Sequence, residues 1–216
     1  MGTAALALLH ALVFVYWVGG DLGAFYASFL LGDPRLSLER RIAAAQVVAA
    51  VDMAPRSALV LALPTGLTLA RAQGWLEVQP LALGAVWLGA IVWLCLVWAL
   101  HLTGAERGSA LRRVDLVIRW SVLIGTLTAG FAIVSGQWQA PRFIGWKLLL
   151  LAAAIGAGLG IRAFDVGSKL GAFVREGTSP ALDHSLAQAL TRVRPLVILI
   201  WVLVLSAAFL GIWRPL

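Results

Sequence analysis

Cysteine is almost absent from this chain: Cys95 is the only one in 216 residues. A lone thiol closes no intramolecular disulfide and builds no cysteine metal cluster, which excludes a secreted disulfide scaffold. Charge is the second scarcity. Charged residues make up 12% of the chain and apolar residues 61%, against about 25% and about 45–50% in an ordinary soluble domain. That balance excludes a disordered chain and a coiled coil. Histidine occurs three times and methionine twice, and no Ser-His-Asp set or carboxylate pair points to a hydrolase. The glycine run at 156–160 sits inside an apolar stretch with no strand before it, so it is not a dinucleotide loop. The charge that remains is biased: 17 Lys+Arg against 10 Asp+Glu give +7. In a soluble protein such a surplus suggests nucleic acid. In a chain this apolar, its location has to be settled first.

What the sequence has in abundance is long apolar runs. A membrane-spanning helix needs about 20 mostly apolar residues, and six stretches qualify, at about 4–31, 55–74, 81–101, 117–137, 144–163 and 195–213. The runs are continuous rather than alternating, which selects helices over a barrel. The expected fold is a single all-α transmembrane domain over 1–216, a polytopic bundle of six spans. The first run is too long and lacks the basic start of a cleavable signal. Six spans divide the loops into two sets. One set carries Arg35, Arg40, Arg41, Arg56, Arg107, Arg112, Arg113, Arg119, Arg162, Lys169, Arg175, Arg192 and Arg194; the other carries Arg71, Arg142, Lys147 and Arg214. Such asymmetry predicts basic loops in the cytoplasm and both termini outside. The surplus charge is then a record of topology, and nucleic acid is not needed as a partner. Arginine outnumbers lysine 15 to 2, which fits a GC-rich bacterial genome and hence an inner membrane. The segment 33–54 reads as an extension of the second helix, with Asp33-Pro34 or Ser37 as its start. The loop 164–193 is the one long connection, and Ser179-Pro180 followed by Leu182, Leu186 and Leu190 predicts an amphipathic helix leading into the last span.

Residues 51–75 and 114–138 align without gaps, sharing Val51/Val114, Asp52/Asp115, Arg56/Arg119, Thr65/Thr128 and Trp75/Trp138. The offset covers two spans, so the copies run in the same direction, as in a parallel repeat. In each, an Asp and an Arg four residues apart share a helix face at the basic boundary. The plainest role for both pairs is an interfacial anchor held by a salt bridge.

Chemistry-bearing groups are few. His184 reads as a solvated loop residue and Cys95 as an inert mid-helix thiol. His101 sits at the basic end of the third span. His10 lies about two turns inside the first span, where a polar group is costly and usually functional. Trp17 and Asp21 follow it by seven and eleven residues, within about 20° of its direction on an α-helix. Beside this stripe Gly19, Gly23 and Ala27 form a small-residue line that admits a neighbouring helix or a flat ring. Asp21 is expected to be protonated or paired with an arginine such as Arg56. At the outer end Lys147, Arg71 and Arg142 form a candidate cation cluster at about the depth of His10, suited to carboxylates such as haem propionates. A packed helix seam with a satisfied histidine, and cations that snorkel to the surface, is the bland alternative. Trp75, Trp138, Trp146 and Trp213 mark interfaces.

The first span, LHALVFVYWVGGDLGAFY, resembles the opening of the HemJ-type protoporphyrinogen oxidases and the related CopD-like membrane proteins, in which a histidine precedes a Trp-x-Gly step. The stretch from Thr128 to Phe164 resembles their threonine-glycine helix followed by a Gly-x-Lys-like start of the next, and Arg194-Pro195 fits as well. Together these cover about 70 residues at the level of a superfamily. The resemblance implies a b-type haem in the bundle, with His10 as axial ligand and Lys147 as the matching lysine. It also implies oxidation of a porphyrinogen-like substrate, with electrons passing to quinone. The chain departs from HemJ-type proteins in its two additional spans and in Asp21.

From these readings, Trp17 is expected to wall the ring, Arg71, Arg142 and Lys147 to bind propionates, and Asp21 and Lys147 to be the catalytic candidates. His10 and His101 lie near opposite faces, so a second axial position would be open, filled by Lys147 or supplied by a second subunit. The CopD-like alternative is copper handling, for which soft ligands are scarce in this chain. The third is a non-catalytic membrane subunit of a larger complex. A homo-oligomer and a partner subunit both remain open.

Overall fold

Inside a bilayer no water satisfies backbone N–H and C=O groups, so a chain with runs this apolar must close its hydrogen bonds within each run. A computed structural model, which describes residues 2–104 and 109–214, has eight helices and no strand among those residues. Arg107 lies outside the described residues. The helices are α1 (Gly2–Gly32), α2 (Leu38–Val51), α3 (Met53–Ala72), α4 (Pro80–Thr103), α5 (Ala110–Val134), α6 (Arg142–Ala163), α7 (Val166–Glu176) and α8 (Pro180–Trp213). α2 and α3 are joined through Asp52 into one apolar run, Leu38–Ala72, and six runs are long and apolar enough to cross a membrane. The protein is therefore an all-α, multi-pass membrane protein. Its exposed residues include Leu8, Val15, Leu88, Phe131 and Phe209, which suit lipid rather than water.

Close helix approaches are made at glycines. A Cβ at Gly20 of α1 would come within 2.6 Å of Pro55 Cδ and 2.8 Å of Ala54 Cβ at the start of α3. The small-residue line of α1 is thus rotated from the expected Gly19, Gly23 and Ala27. Gly19 faces nothing within 4 Å, while Gly20 and Ala27 are buried and Gly23 closely abuts Val51. The cause is the Ala54-Pro55 step, which pushes directly against Gly20. On the other side α5 and α6 cross where Gly130 and Gly145 meet; a Cβ on Gly130 would lie 2.9 Å from the Gly145 carbonyl oxygen. Ala152 of α6 is buried and Gly156 and Gly160 rest against Leu123 and Leu196, in line with a packing face there.

Antiparallel packing of α1 and α8 brings the described termini to one end of the bundle, the termini end; the opposite, basic end carries α2, α7 and the first half of α8. Of the two expected starts of α2, Ser37 is the one observed, at the N-cap, while Asp33-Pro34 forms a turn. The segment 164–193 is no open loop: α7 fills its first part and α8 starts at Pro180, running unbroken through Pro195. Ser179 caps α8 by accepting from the Leu182 N–H, and Leu186 and Leu190 bury against Leu31, Ala44, Ala45 and Phe173. Buried Arg41 locks this cap. Its Nε donates to the Leu31 carbonyl, its two Nη groups donate to Asp183, and its guanidinium lies 4.8 Å from the Phe173 ring centre. Arg194 donates to the Ser28 carbonyl at 3.2 Å and stacks on Phe29, so the proline step sits beside a pinned turn.

Candidate functional site

The termini end is built around His10. Its Nδ1 lies 2.9 Å from the Thr65 hydroxyl oxygen. That hydroxyl donates to the Leu61 carbonyl one turn earlier on its own helix, at 2.6 Å. With its one proton committed there, Thr65 accepts from His10, which fixes the tautomer: Nδ1 carries the hydrogen and Nε2 keeps its lone pair. Gly66 provides the space, since a Cβ there would sit 3.1 Å from His10 Cε1. Lys147, six residues into α6, approaches the same region; its Nζ occupies room left by Gly211 of α8, 2.8 Å from where a Cβ would be. It interacts electrostatically with His10 and with Arg214. Arg214 follows the end of α8, and its guanidinium lies 5.0 Å from the Trp75 ring centre.

The remaining candidates fall in different places. Trp17 is buried below His10 in the core with Val13, Ala58, Ala154, Ile200 and Val204, packed by helices rather than lining an open space. Asp21 lies deeper still, close to the Trp201 indole and to Asp52. The expected pairing with Arg56 does not occur, because Arg56 is bonded to Asp52 on its own helix. Arg71 and Arg142 are exposed at the termini end, and the side chain of neither takes part in a hydrogen bond, ion pair or ring contact among the described residues. Lys147 is thus the one member of the expected cation trio placed beside His10. Arg214, counted in the sequence only as a topology marker, stands with it. His101 meets Trp98 edge-on at 6.2 Å, and Trp98 bonds Ser57, two turns of α3 away from Thr65 and towards the basic end. The two histidines do not come together. Among the described residues no three His, Cys, Asp or Glu side chains form a metal-holding group. His184 and Cys95 are exposed.

A second polar constellation, at the basic end, is absent from the sequence candidates. Asp115 is fully buried (0% exposed) and Arg119 is 5% exposed. One carboxylate oxygen of Asp115 accepts from Trp93 Nε1 at 2.9 Å; the other accepts from Arg119 Nε at 3.1 Å and forms an ion pair with Arg162, whose Nη1 lies 2.7 Å away. The Arg119 guanidinium also lies 5.5 Å from the Trp93 ring centre. The repeat had marked Asp115 and Arg119 as a pair but put them at the interface, and nothing in the sequence linked them to Arg162 or Trp93. The related Asp52–Arg56 pair is half-exposed.

Comparison of the chain with protein-family profiles, with curated proteins and with solved structures gives no match.

Proposed function

We propose that the protein is a membrane redox protein that holds haem b near its termini end, with His10 as an axial ligand through Nε2. The observation that supports this best is the hydrogen bond to Thr65. A histidine ligand needs its second ring nitrogen tied to an acceptor that fixes ring orientation and tautomer, and Thr65 Oγ1 is such an acceptor. The donor set fits a single ligand from the chain. His101 is remote, so the second axial position is left open, to Lys147 or to a partner subunit. Haem bound there would supply one-electron exchange, and an open position favours reaction with a small ligand while a filled one favours transfer. In this reading Lys147 and Arg214 neutralise the propionates, Arg71 and Arg142 add positive potential at the same end, and Trp17 closes the floor of the site. Asp21 lies on the same helix, eleven residues beyond His10, and is the candidate for moving a proton. Electrons exchange with quinone, and a porphyrinogen-like molecule is the candidate substrate. The thirteen-to-four asymmetry of loop cations supports an inner-membrane orientation with the termini outside.

The test is cofactor stoichiometry in protein purified in detergent from haem-replete bacteria. The proposal expects one haem b per chain, reducible by a quinol. Colourless protein overturns it. Copper retained in that colourless sample would favour the copper-handling reading, and absence of both would favour the non-catalytic subunit. Orientation is tested separately: a cysteine placed at Ser179 should resist membrane-impermeant labels applied from outside the cell, and its labelling would overturn the assignment.

A further inference from the structure

Buried Asp115 and Arg119, with the exposed Arg162, lie at the basic end about one turn of α5 from an apolar groove, and we infer that the two together hold an anionic phospholipid, its phosphate at Arg119 and Arg162 and an acyl chain in the groove. This inference is independent of the haem reading.

The groove is a cavity of about 370 Å³ between α3, α5 and α6, lined by Leu63 and Leu67, by Val122, Gly125 and Thr126, and by Leu148 among others. Side chains seven residues apart on a helix fall within about 20° of one direction, and that spacing links the groove to the charges on all three helices. On α5, Asp115 precedes Val122 by seven and Arg119 precedes Thr126 by seven. On α3, Arg56 precedes Leu63 by seven. On α6, Leu148, buried Ile155 and Arg162 follow one another at seven. Each of the three helices therefore carries an arginine towards the basic end on the groove's side. Val122, which packs against the Trp93 cluster, lines the basic end of the groove one turn of α5 from Arg119, and Trp138 lines its other end.

The charges there do not cancel. Asp115 neutralises one of its two arginines, Asp52 neutralises Arg56, and both Arg56 and Arg112 are close enough to Arg162 to act on it electrostatically. Among the described residues, four arginines (Arg56, Arg112, Arg119 and Arg162) thus face two carboxylates (Asp52 and Asp115), and the cluster stays positive. Arg119, almost wholly buried, bonds only through Nε, and both its Nη groups have no hydrogen-bond partner among the described residues. Arg162 likewise commits Nη1 alone. A tetrahedral oxyanion matches such free, forked donors. A cation cluster at membrane depth that opens onto an apolar groove selects an anion carrying a hydrocarbon chain over one free in water. Gly125 lines the groove, and a Cβ built on it meets nothing within 4 Å.

The test is native mass spectrometry of the full chain, delipidated in detergent and offered phosphatidylglycerol or phosphatidylcholine. The wild type should retain phosphatidylglycerol preferentially. Arg162→Gln, which removes the head contact, and Gly125→Leu, which fills the groove, should each lower its retention about tenfold, the scale of one lost charge-assisted bond. Gly125→Leu should unfold at the wild-type temperature, so its effect cannot be put down to misfolding. Excess inorganic phosphate should leave the bound lipid in place. Undiminished retention in Gly125→Leu, equal binding of phosphatidylcholine, or displacement by inorganic phosphate would each overturn the proposal.

Discussion

The two copies of the internal repeat, 51–75 and 114–138, share an Asp, an Arg, a Thr and a Trp, yet each buries a different end. In the first copy Thr65 is buried against His10 at the termini end, while the Asp52–Arg56 pair is half-exposed. In the second, Asp115 and Arg119 are buried beside Trp93 at the basic end and paired with the exposed Arg162, while Thr128 is exposed and bonds only carbonyls of its own helix. Neighbours create the difference. α3 packs closely on α1, which delivers His10 to Thr65; α5 packs closely on α6, which delivers Arg162 to Asp115. One sequence pattern thus serves as a cofactor-side anchor in one copy and an electrostatic core in the other.

Removing the shared acid should break this comparison most strongly. Asp115→Asn leaves the buried Arg119 guanidinium without its counter-charge, a change worth about 3–5 kcal/mol. We expect a large fall in unfolding temperature in detergent and in folded yield. Next comes the shared threonine. Thr65→Val strips His10 Nδ1 of its acceptor at a cost of about 1–3 kcal/mol. It should also weaken haem retention by about 10–100-fold, the usual cost of losing a ligand's outer partner. Asp52→Asn, at the half-exposed pair, should cost at most about 1 kcal/mol in the same unfolding assay. Thr128→Val should stay within about 0.5 kcal/mol of wild type and leave any haem spectrum unchanged. Equal effects at Thr65 and Thr128, or at Asp52 and Asp115, would mean that the copies are equivalent after all.

The smallest effect is expected outside the repeat, at the exposed Asp33 turn. Arg35 bonds this carboxylate through its side chain and backbone, which draws the Asp33 pKa down to about 2. A lowered carboxylate pKa contributes above its ordinary value near 4 and is lost as pH falls through about 2. Asp33→Asn should therefore leave the unfolding temperature unchanged between pH 7 and pH 5, apart from the slight screened contribution of a surface pair.

The spans were legible because bilayer thickness fixes the length of an apolar run, and the helix from Ser179 was legible from its cap and leucine spacing. The continuity of α8 through Pro195 was not, since it depends on burial against α2 and α7, which no local pattern encodes. His10 stood out because a lone imidazole in a span is costly. Thr65, its partner, is 55 positions away and was visible only as a repeat identity. Arg71 and Arg142 were grouped with Lys147 by depth alone. Depth fixes height in the membrane but not direction around it, so Arg214 rather than either of them is the cation that acts on Lys147. The same gap hid the triad: Arg162 looked like a loop cation, and only the α5–α6 crossing at Gly130 and Gly145 carries it to Asp115.

The central claim is that His10, and not His101, ligates a haem. The reduced-minus-oxidised absorption spectrum of detergent-purified wild type, His10→Ala and His101→Ala tests it most directly. The account predicts b-type bands in the wild type, their loss or shift in His10→Ala, and an unchanged spectrum in His101→Ala. Bands that survive His10→Ala unaltered, or no bands in the wild type, would contradict it.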